Sequence, residues 1–258
     1  TKSSSFTILS TFYMKSLKTG QNILYNIRKT GQNILKSIVK TGQNDIQYTW
    51  RYEFMFRKDS ITIKEWIESS DKALLVTGAR QIGKTWLIRD EIDKSGFKRF
   101  EINFIDQPDM IDFLNTEISA EDFMVKLKMI MPEEYKPHKT VVFFDEIQKC
   151  PEIVTKIKFL VDEGSFKYAM SGSLLGVELK GIASAPVGYL SITRMYPMDF
   201  EEFMIANGVS KTTLDMLKDK FKTCQPVDDF IHHKLLSLFF VYLIVGGMPD
   251  AVKKYIET

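Results

Sequence analysis

The sequence predicts an α/β fold, a three-layer sandwich with a parallel sheet, followed by a helical region. Apolar segments with the pattern of buried strands alternate with helix-like segments between residues 73 and 196, as is typical of a parallel sheet covered by helices. After Tyr196 only helical patterns follow. The 258 residues, 44% hydrophobic and 26% charged, suffice for one sizeable packed domain and exclude a collagen-like or wholly disordered chain.

The first predicted strand, Ala73–Thr77, leads into a glycine-rich segment. The letters GARQIGKT from Gly78 to Thr85 match the pattern G-x-x-x-x-G-K-[ST], and Trp86–Ile92 continues with helical periodicity. In such a loop the N–H groups form an anion nest at the positive end of a helix. The residues predicted to bind the phosphates of a nucleotide are Gly78, Ala79, Arg80, Gln81, Ile82, Gly83, Lys84, Thr85 and Trp86.

Four of these residues are predicted to have particular roles. Gly78 and Gly83 permit backbone angles and a close approach that a side chain would block. Lys84 is predicted to be catalytic, because its ammonium group would lie on the β- and γ-phosphates. The Thr85 hydroxyl is a predicted Mg²⁺ ligand.

A second apolar strand pattern, Thr140–Phe144, ends in two acidic residues, Asp145 and Glu146. In nucleotide-hydrolysing proteins with this loop, an acid at the end of such a strand orders Mg²⁺, and the next carboxylate polarises the attacking water. The sequence therefore predicts Asp145 as a metal ligand and Glu146 as the catalytic base.

A third strand pattern, Phe166–Met170, ends in Ser171, Gly172 and Ser173. A polar side chain on the strand beside the acid pair can hydrogen-bond the attacking water or the γ-phosphate. Both Ser171 and Ser173 are candidates for this catalytic sensor role, and the sequence does not choose between them.

The remaining segments complete the predicted sandwich. Lys98–Phe104 alternates as a strand does, and Val187–Thr193 is the predicted fifth strand. The further helices predicted between the strands are Asp106–Thr116, Ala120–Met131 and Pro151–Gly164. After Tyr196 the predicted helices are Asp199–Ala206, Thr212–Phe221 and Asp228–Val245, and a last short helix follows the GGMP segment.

The first 49 residues are predicted to be a mobile basic tail. Residues 1–44 hold seven basic side chains and no acidic one, which leaves 28 basic against 33 acidic residues elsewhere. The tail repeats KTGQNIL with a period of 11 residues. A basic helix on a membrane or on nucleic acid, and a transit peptide, are alternative interpretations. A glycine in each repeat, costing about 1 kcal/mol inside a helix, favours the mobile tail.

Composition excludes several other classes of protein. Two cysteines cannot form a disulfide framework or a cysteine-rich zinc site, which favours a reducing, cytoplasmic location. Adjacent His232 and His233 and isolated His138 lack metal-ligand spacing, so no metal besides Mg²⁺ is expected. The longest apolar run, Leu235–Val245, reaches about half a membrane span, so it predicts a buried core helix and no integral membrane span.

Five segments together resemble one family: VTGARQIGKT, VVFFDEIQKCPE, MSGSLLGV, PVGYLSITRMYPMDFEEFM and VGGMPDAV. They are similar to the prokaryotic AAA-type, or archaeal-type, ATPases from about Trp50 to the end. The resemblance implies a P-loop NTPase (AAA-type) core at 50–196. It also implies a small helical lid or winged-helix-like region at 197–258, truncated before a further C-terminal domain.

One position departs from the pattern of that family. Its members often carry a cation where this chain has Tyr189, and Arg194 is the nearest substitute. The departure predicts weakened hydrolysis with binding intact.

The sequence and the resemblance thus predict a Mg²⁺-dependent ATPase that couples hydrolysis to a conformational change. The alternative is an ATP-dependent switch or scaffold that hydrolyses slowly or not at all and associates with DNA. ATP is preferred to GTP because the chain has no Asn/Thr-Lys-x-Asp guanine-reading motif. A protein or DNA partner and a homo-oligomer are left open as partners.

Overall fold

The computed structural model describes residues 56–114, 119–173 and 188–258, so the predicted basic tail at 1–49 lies outside the described residues. The contacts divide the chain into two compact units. The larger unit combines Met55–Pro226 with Val241–Thr258, and residues 227–240 belong to the other.

The larger unit contains a five-stranded sheet in the order β2-β3-β4-β1-β5. Every neighbouring pair is parallel, which confirms the predicted α/β fold. The strands are β1 (Ala73–Gly78), β2 (Lys98–Asn103), β3 (Thr140–Asp145), β4 (Lys167–Ser173) and β5 (Leu190–Arg194). The acid-bearing strand β3 is separated from β1 by β4, so β4 is a neighbour of both.

Nine helices accompany the sheet in the described residues. They are α1 (Asp59–Ser69), α2 (Lys84–Ser95), α3 (Asp109–Leu114), α4 (Ala120–Ile130), α5 (Glu152–Glu163), α6 (Phe200–Ala206), α7 (Lys211–Lys222), α8 (Asp229–Val245) and α9 (Pro249–Glu257). The helix predicted at 106–116 begins later, at Asp109, because the Asn103 side chain accepts bonds from the Ile105 and Asp106 N–H groups and holds a turn there.

Alternate residues of the central strands explain the three layers. Val142 and Phe144 of β3 lie in a buried cluster with residues of α4 and α5. Val141 and Phe143, which point the opposite way, lie in a second cluster with residues of α1 and α2. Both faces of β3 are therefore covered, and all six of its residues are buried.

Residues 195–226 and 241–258 consist of helices joined by irregular segments, with no strand in either range. The resemblance also implies a helical region after the sheet. Helix α6 begins with a capping box, in which Asp199 accepts from the Glu202 N–H at 2.8 Å and Glu202 accepts from the Asp199 N–H at 3.1 Å. The Met198 N–H donates to the Gly247 carbonyl at 2.7 Å. A Cβ atom added at Gly247 would lie 2.1 Å from the Met198 oxygen.

The predicted burial of the apolar run Leu235–Val245 is wrong. Within this run only Val241 is buried, and Leu243 and Ile244 are 61% and 69% exposed. Hydrophobicity on every side of a helix leads to burial only where neighbours cover every side. No helix in the described part of the chain is both long and apolar enough to cross a membrane.

Residues 227–240 contain most of α8. Asp228 lies just before the helix, and its carboxylate accepts from the Phe230 N–H at 3.0 Å and from the Ile231 N–H at 3.3 Å. The Lys234 ammonium lies 4.6 Å from the centre of the Phe230 ring, a cation–π contact on the helix surface.

Candidate phosphate-binding site

The glycine-rich loop lies between the carboxyl end of β1 and the start of α2. Gly78 has φ 153°, and a Cβ atom there would lie 2.3 Å from the Met195 carbonyl oxygen. Gln81 and Gly83 also have positive φ, 64° and 91°. With these angles the loop bends around the N-terminus of α2, as in an anion nest.

Lys84 is the first residue of α2, and its ammonium lies against the loop. Its Nζ donates to the Gly78 carbonyl at 3.1 Å and to the Ala79 carbonyl at 2.7 Å. Burial lowers the pKa of Lys84. The nearby carboxylates of Glu146 and Asp145 have the opposite, smaller effect and raise it. The predicted phosphate-binding ammonium is thus held in place by the loop's own backbone.

The two predicted metal ligands are in direct contact. The Thr85 hydroxyl donates to the Asp145 carboxylate, at 2.9 Å to Oδ1 and 3.1 Å to Oδ2. Asn103 Nδ2 donates to Oδ2 at 3.1 Å, and the Ser171 hydroxyl donates to Oδ1. Burial raises the pKa of Asp145, whereas the bonds from Ser171 and Thr85 lower it.

These oxygen donors fit Mg²⁺. That ion keeps several waters and takes one or two protein carboxylates together with phosphate oxygens, so a pair such as Thr85 and Asp145 suffices. Among the described residues, no group of three or more His, Cys, Asp or Glu side chains forms a separate metal site.

Glu146 follows β3 in the left-handed region, with φ 58°. Its carboxylate accepts a hydrogen bond from Gln148 Nε2. The Gln148 Oε1 atom in turn accepts from the Ser173 N–H at 3.2 Å. A side chain in the turn after β3 therefore connects the predicted base to the end of β4.

The structure distinguishes the two serine candidates by position. Ser171 is buried and its hydroxyl lies on the Asp145 carboxylate, whereas Ser173 enters the network through its backbone N–H. Trp86, predicted to bind nucleotide, has a side chain that is 43% exposed at the start of α2. The roles of all these residues remain predictions.

Tyr189 lies far from the loop of its own chain. Its carbonyl accepts from the Ala73 N–H at the start of β1, at 2.9 Å. The loop follows the other end of that six-residue strand, about 17 Å away at the rise of an extended chain. Arg194, by contrast, is in register with Thr77 beside the loop. The backbone at Tyr189 therefore does not adjoin the loop of its own chain, and the weakened hydrolysis expected from this position stays a prediction.

Sequence reasoning missed three contributors to the site. Asn103 carries a partial signal, because it is a polar residue near the end of the Lys98–Phe104 strand pattern, but the sequence does not show that this strand lies beside the acid-bearing strand. Gln148 stands two residues after Glu146, but a turn residue carries no signal of what its amide contacts. Arg57, described below, lies 25 positions before its loop partner Ile82.

The parallel sheet and its loop define the class of protein. A G-x-x-x-x-G-K-T loop between a strand and a helix, with an aspartate ending another strand of the same parallel sheet, is a P-loop nucleotide-binding core. Residues 70–204 match the family model described as AAA domain, just over half of the chain, and the protein belongs to that family. It is thereby a nucleotide-binding protein of the P-loop ATPase class. No curated protein matches the chain.

Proposed function

We propose that the protein is a Mg²⁺-dependent ATPase that couples hydrolysis to a conformational change. The observation that carries the proposal is the contact between the Thr85 hydroxyl and the Asp145 carboxylate at 2.9 Å. The loop that presents Lys84 ends at Thr85, so one site offers a nest for phosphate, a cation and two oxygen donors for Mg²⁺.

Each group has a task that follows from its chemistry. The loop N–H groups and Lys84 bind the β- and γ-phosphates. Thr85 and Asp145 would hold Mg²⁺, which supplies charge neutralisation on the phosphates when it is bound. Ser171 and Asn103 orient the Asp145 carboxylate.

Glu146 is the proposed base that takes a proton from the attacking water. Its left-handed backbone turns the chain away from β3 at the edge of the sheet where the loop lies. The Gln148 amide holds the Glu146 carboxylate on one side.

One observation also favours the alternative, a switch that binds ATP and hydrolyses it slowly. The Gln148 amide donates to Glu146 Oε2, so one of the two carboxylate oxygens is bonded within the protein instead of to an attacking water. Such a switch would use the same nucleotide site and signal through the helices after β5.

Phosphate release and ATP affinity, measured on the same preparations, test the proposal. Glu146→Gln should lower turnover by about 100-fold or more, the usual contribution of a general base, with ATP affinity retained. Glu152→Gln, an exposed carboxylate at the start of α5, is the matched control and should leave turnover unchanged.

Two other outcomes have distinct meanings. A wild-type chain that binds ATP without turnover supports the switch and contradicts the ATPase. A wild-type chain that binds no ATP contradicts both.

The cytoplasmic location, a protein or DNA partner and a homo-oligomer remain proposals from the sequence. DNA binding through the basic tail has a direct test, the deletion of residues 1–44. If the tail binds DNA, this deletion should remove strongly salt-dependent binding, and unchanged binding would refute that role.

A further inference from the structure

Arg57 is a buried cation just before α1, outside the matched residues 70–204. It is 2% exposed. Its Nη1 atom donates to the carbonyl oxygen of Ile82, inside the phosphate loop, at 2.8 Å. Its Nε atom donates to Glu202 Oε1 at 3.3 Å, and its Nη2 atom donates to the Tyr196 carbonyl. The guanidinium therefore joins the loop to the chain that follows β5.

The contact with Ile82 sets the direction of a whole peptide group. A trans peptide is planar, so the Ile82 carbonyl and the Gly83 N–H point in opposite directions. Ile82 is fully buried and Gly83 is partly exposed at the start of α2. With the carbonyl turned inward onto Arg57, the Gly83 N–H is turned outward, toward the face of the loop that binds anions.

This peptide group has freedom to rotate unless something holds it. Gly83, at φ 91°, has no side chain to restrict the plane before it. Gln81, two residues earlier, is also in the left-handed region, at φ 64°. A buried carbonyl needs a hydrogen-bond donor, and for Ile82 that donor is the Arg57 guanidinium.

Glu202 fixes the guanidinium in turn. It is 4% exposed, and its Oε1 atom accepts from Arg57 Nε and from the Lys58 N–H at 2.7 Å. Its Oε2 atom accepts from the Asp199 N–H at 3.1 Å as part of the cap of α6. The position of Arg57, and hence of the loop peptide, depends on the first turn of α6.

We propose that Arg57 is a positioning residue for phosphate binding. It does not touch the nucleotide; it holds the Ile82 carbonyl so that the Gly83 N–H faces the phosphates, and Glu202 holds Arg57. This inference rests on the proposed nucleotide site, and it connects that site to the helical region through one side chain.

The competing explanation is that the Arg57–Glu202 ion pair is purely structural. Removing one partner of a buried ion pair destabilises the folded state, and that loss alone would weaken nucleotide binding. Arg57→Lys keeps the charge opposite Glu202 but loses the planar fork that reaches three acceptors at once. Lys58→Met is the matched control. The Lys58 ammonium joins the same segment to α6, at 2.6 Å from Asp199 and 2.7 Å from Glu201, on the surface.

The experiment is calorimetric titration of the full chain with Mg·ATP, with thermal unfolding of each variant without nucleotide. Arg57→Lys should bind Mg·ATP about tenfold more weakly, as the loss of one well-directed donor implies. Lys58→Met should bind within about twofold of the wild-type chain, since its loss of a surface pair costs little. The backbone ¹⁵N–¹H signal of Gly83 should move less on adding Mg·ADP in Arg57→Lys than in the wild-type chain.

Three results would overturn the inference. Wild-type affinity for Mg·ATP in Arg57→Lys would show that phosphate binding does not depend on the guanidinium contacts of Arg57. Equal losses in Arg57→Lys and Lys58→Met show that only the docking of the segment onto α6 matters. The double variant Arg57→Met/Glu202→Met removes both buried charges together, and wild-type affinity in it has the same meaning.

Failure of the proposed function is a separate result, because it appears in the wild-type chain itself, as absent ATP binding or as ATP binding without turnover.

Discussion

The two halves of the candidate site are held in different ways. In the phosphate-and-metal half, formed by Lys84, Thr85 and Asp145, each side chain is held by backbone or side chains of the loop and of neighbouring strands. In the acid half, formed by Glu146 and Gln148, the carboxylate accepts from an amide in the short turn after β3.

The difference concerns what each half needs in order to work. The phosphate-and-metal half combines the first turn of α2 with the buried end of β3, so packing around Lys84 and Asp145 restricts its geometry. The acid half depends on a turn and on a carboxylate that has to be correctly placed relative to water. We therefore expect changes in the first half to alter binding, and changes in the second to alter turnover.

Of the variants compared in this Discussion, Lys84→Ala should have the largest effect on ATP affinity. Loss of the ammonium removes a charge-assisted contact with phosphate, so ATP affinity should fall by about 100-fold, or about 2.7 kcal/mol. Thermal unfolding without nucleotide should change little, because burial already disfavours the charged form of Lys84. Calorimetric titration with Mg·ATP measures the affinity. A loss of turnover at unchanged affinity would contradict the division of the site into two halves.

A smaller effect should separate the two serines. Ser171→Ala removes a hydrogen bond that favours the ionised form of Asp145, so the pKa of that carboxyl should rise further. Mg²⁺-dependent ATP binding should weaken about tenfold, and the loss should grow as the pH falls, because protonated Asp145 cannot hold the ion. Ser173→Ala, whose backbone N–H is retained, should bind within about twofold. Magnesium titrations at two pH values check both variants, and equal losses in the two would contradict the assignment.

Of the variants compared in this Discussion, Gln148→Ala in the acid half should have the smallest effect. Gln148→Ala removes the amide that holds Glu146 and joins it to Ser173. Turnover should change by several-fold, in line with a hydrogen bond worth about 1 kcal/mol, while KM for ATP stays constant. Its control is Lys149→Ala, an exposed residue of the same turn. A decrease in turnover indicates that the amide places the base, and an increase indicates that it restrains it. Unchanged turnover would show that the contact has no role.

Most of the fold could be predicted from the sequence, because it depends on local patterns. The strands at 73–77 and 140–144 are apolar runs that lead into motif residues, and the structure has strands at Ala73–Gly78 and Thr140–Asp145. The closeness of Thr85 and Asp145 follows from the same patterns, since the carboxyl ends of parallel strands share one edge of the sheet. Their role as Mg²⁺ ligands stays a prediction.

What could not be predicted depends on contacts between distant residues. Nothing local marks Arg57 as the partner of Ile82 and Glu202, because the guanidinium reaches a backbone carbonyl that any residue would supply. The hydrophobicity of the run at 235–245 predicts a core helix, but burial depends on the neighbours of the run and not on its composition. The order of the strands in the sheet could not be predicted either, because the sequence of a strand does not determine which strands pair with it.

The close approach of Gly247 to Met198 couples two segments that lie about 50 positions apart in the chain. The YPMDFEEF segment contains Met198 and the GGMP segment contains Gly247, and a Cβ atom at Gly247 would lie 2.1 Å from the Met198 oxygen. Any larger residue at 247 would have to displace the backbone that leads to Glu202. A residue larger than glycine at 247 should therefore disturb the cap of α6, so each segment restricts which residues the other can contain.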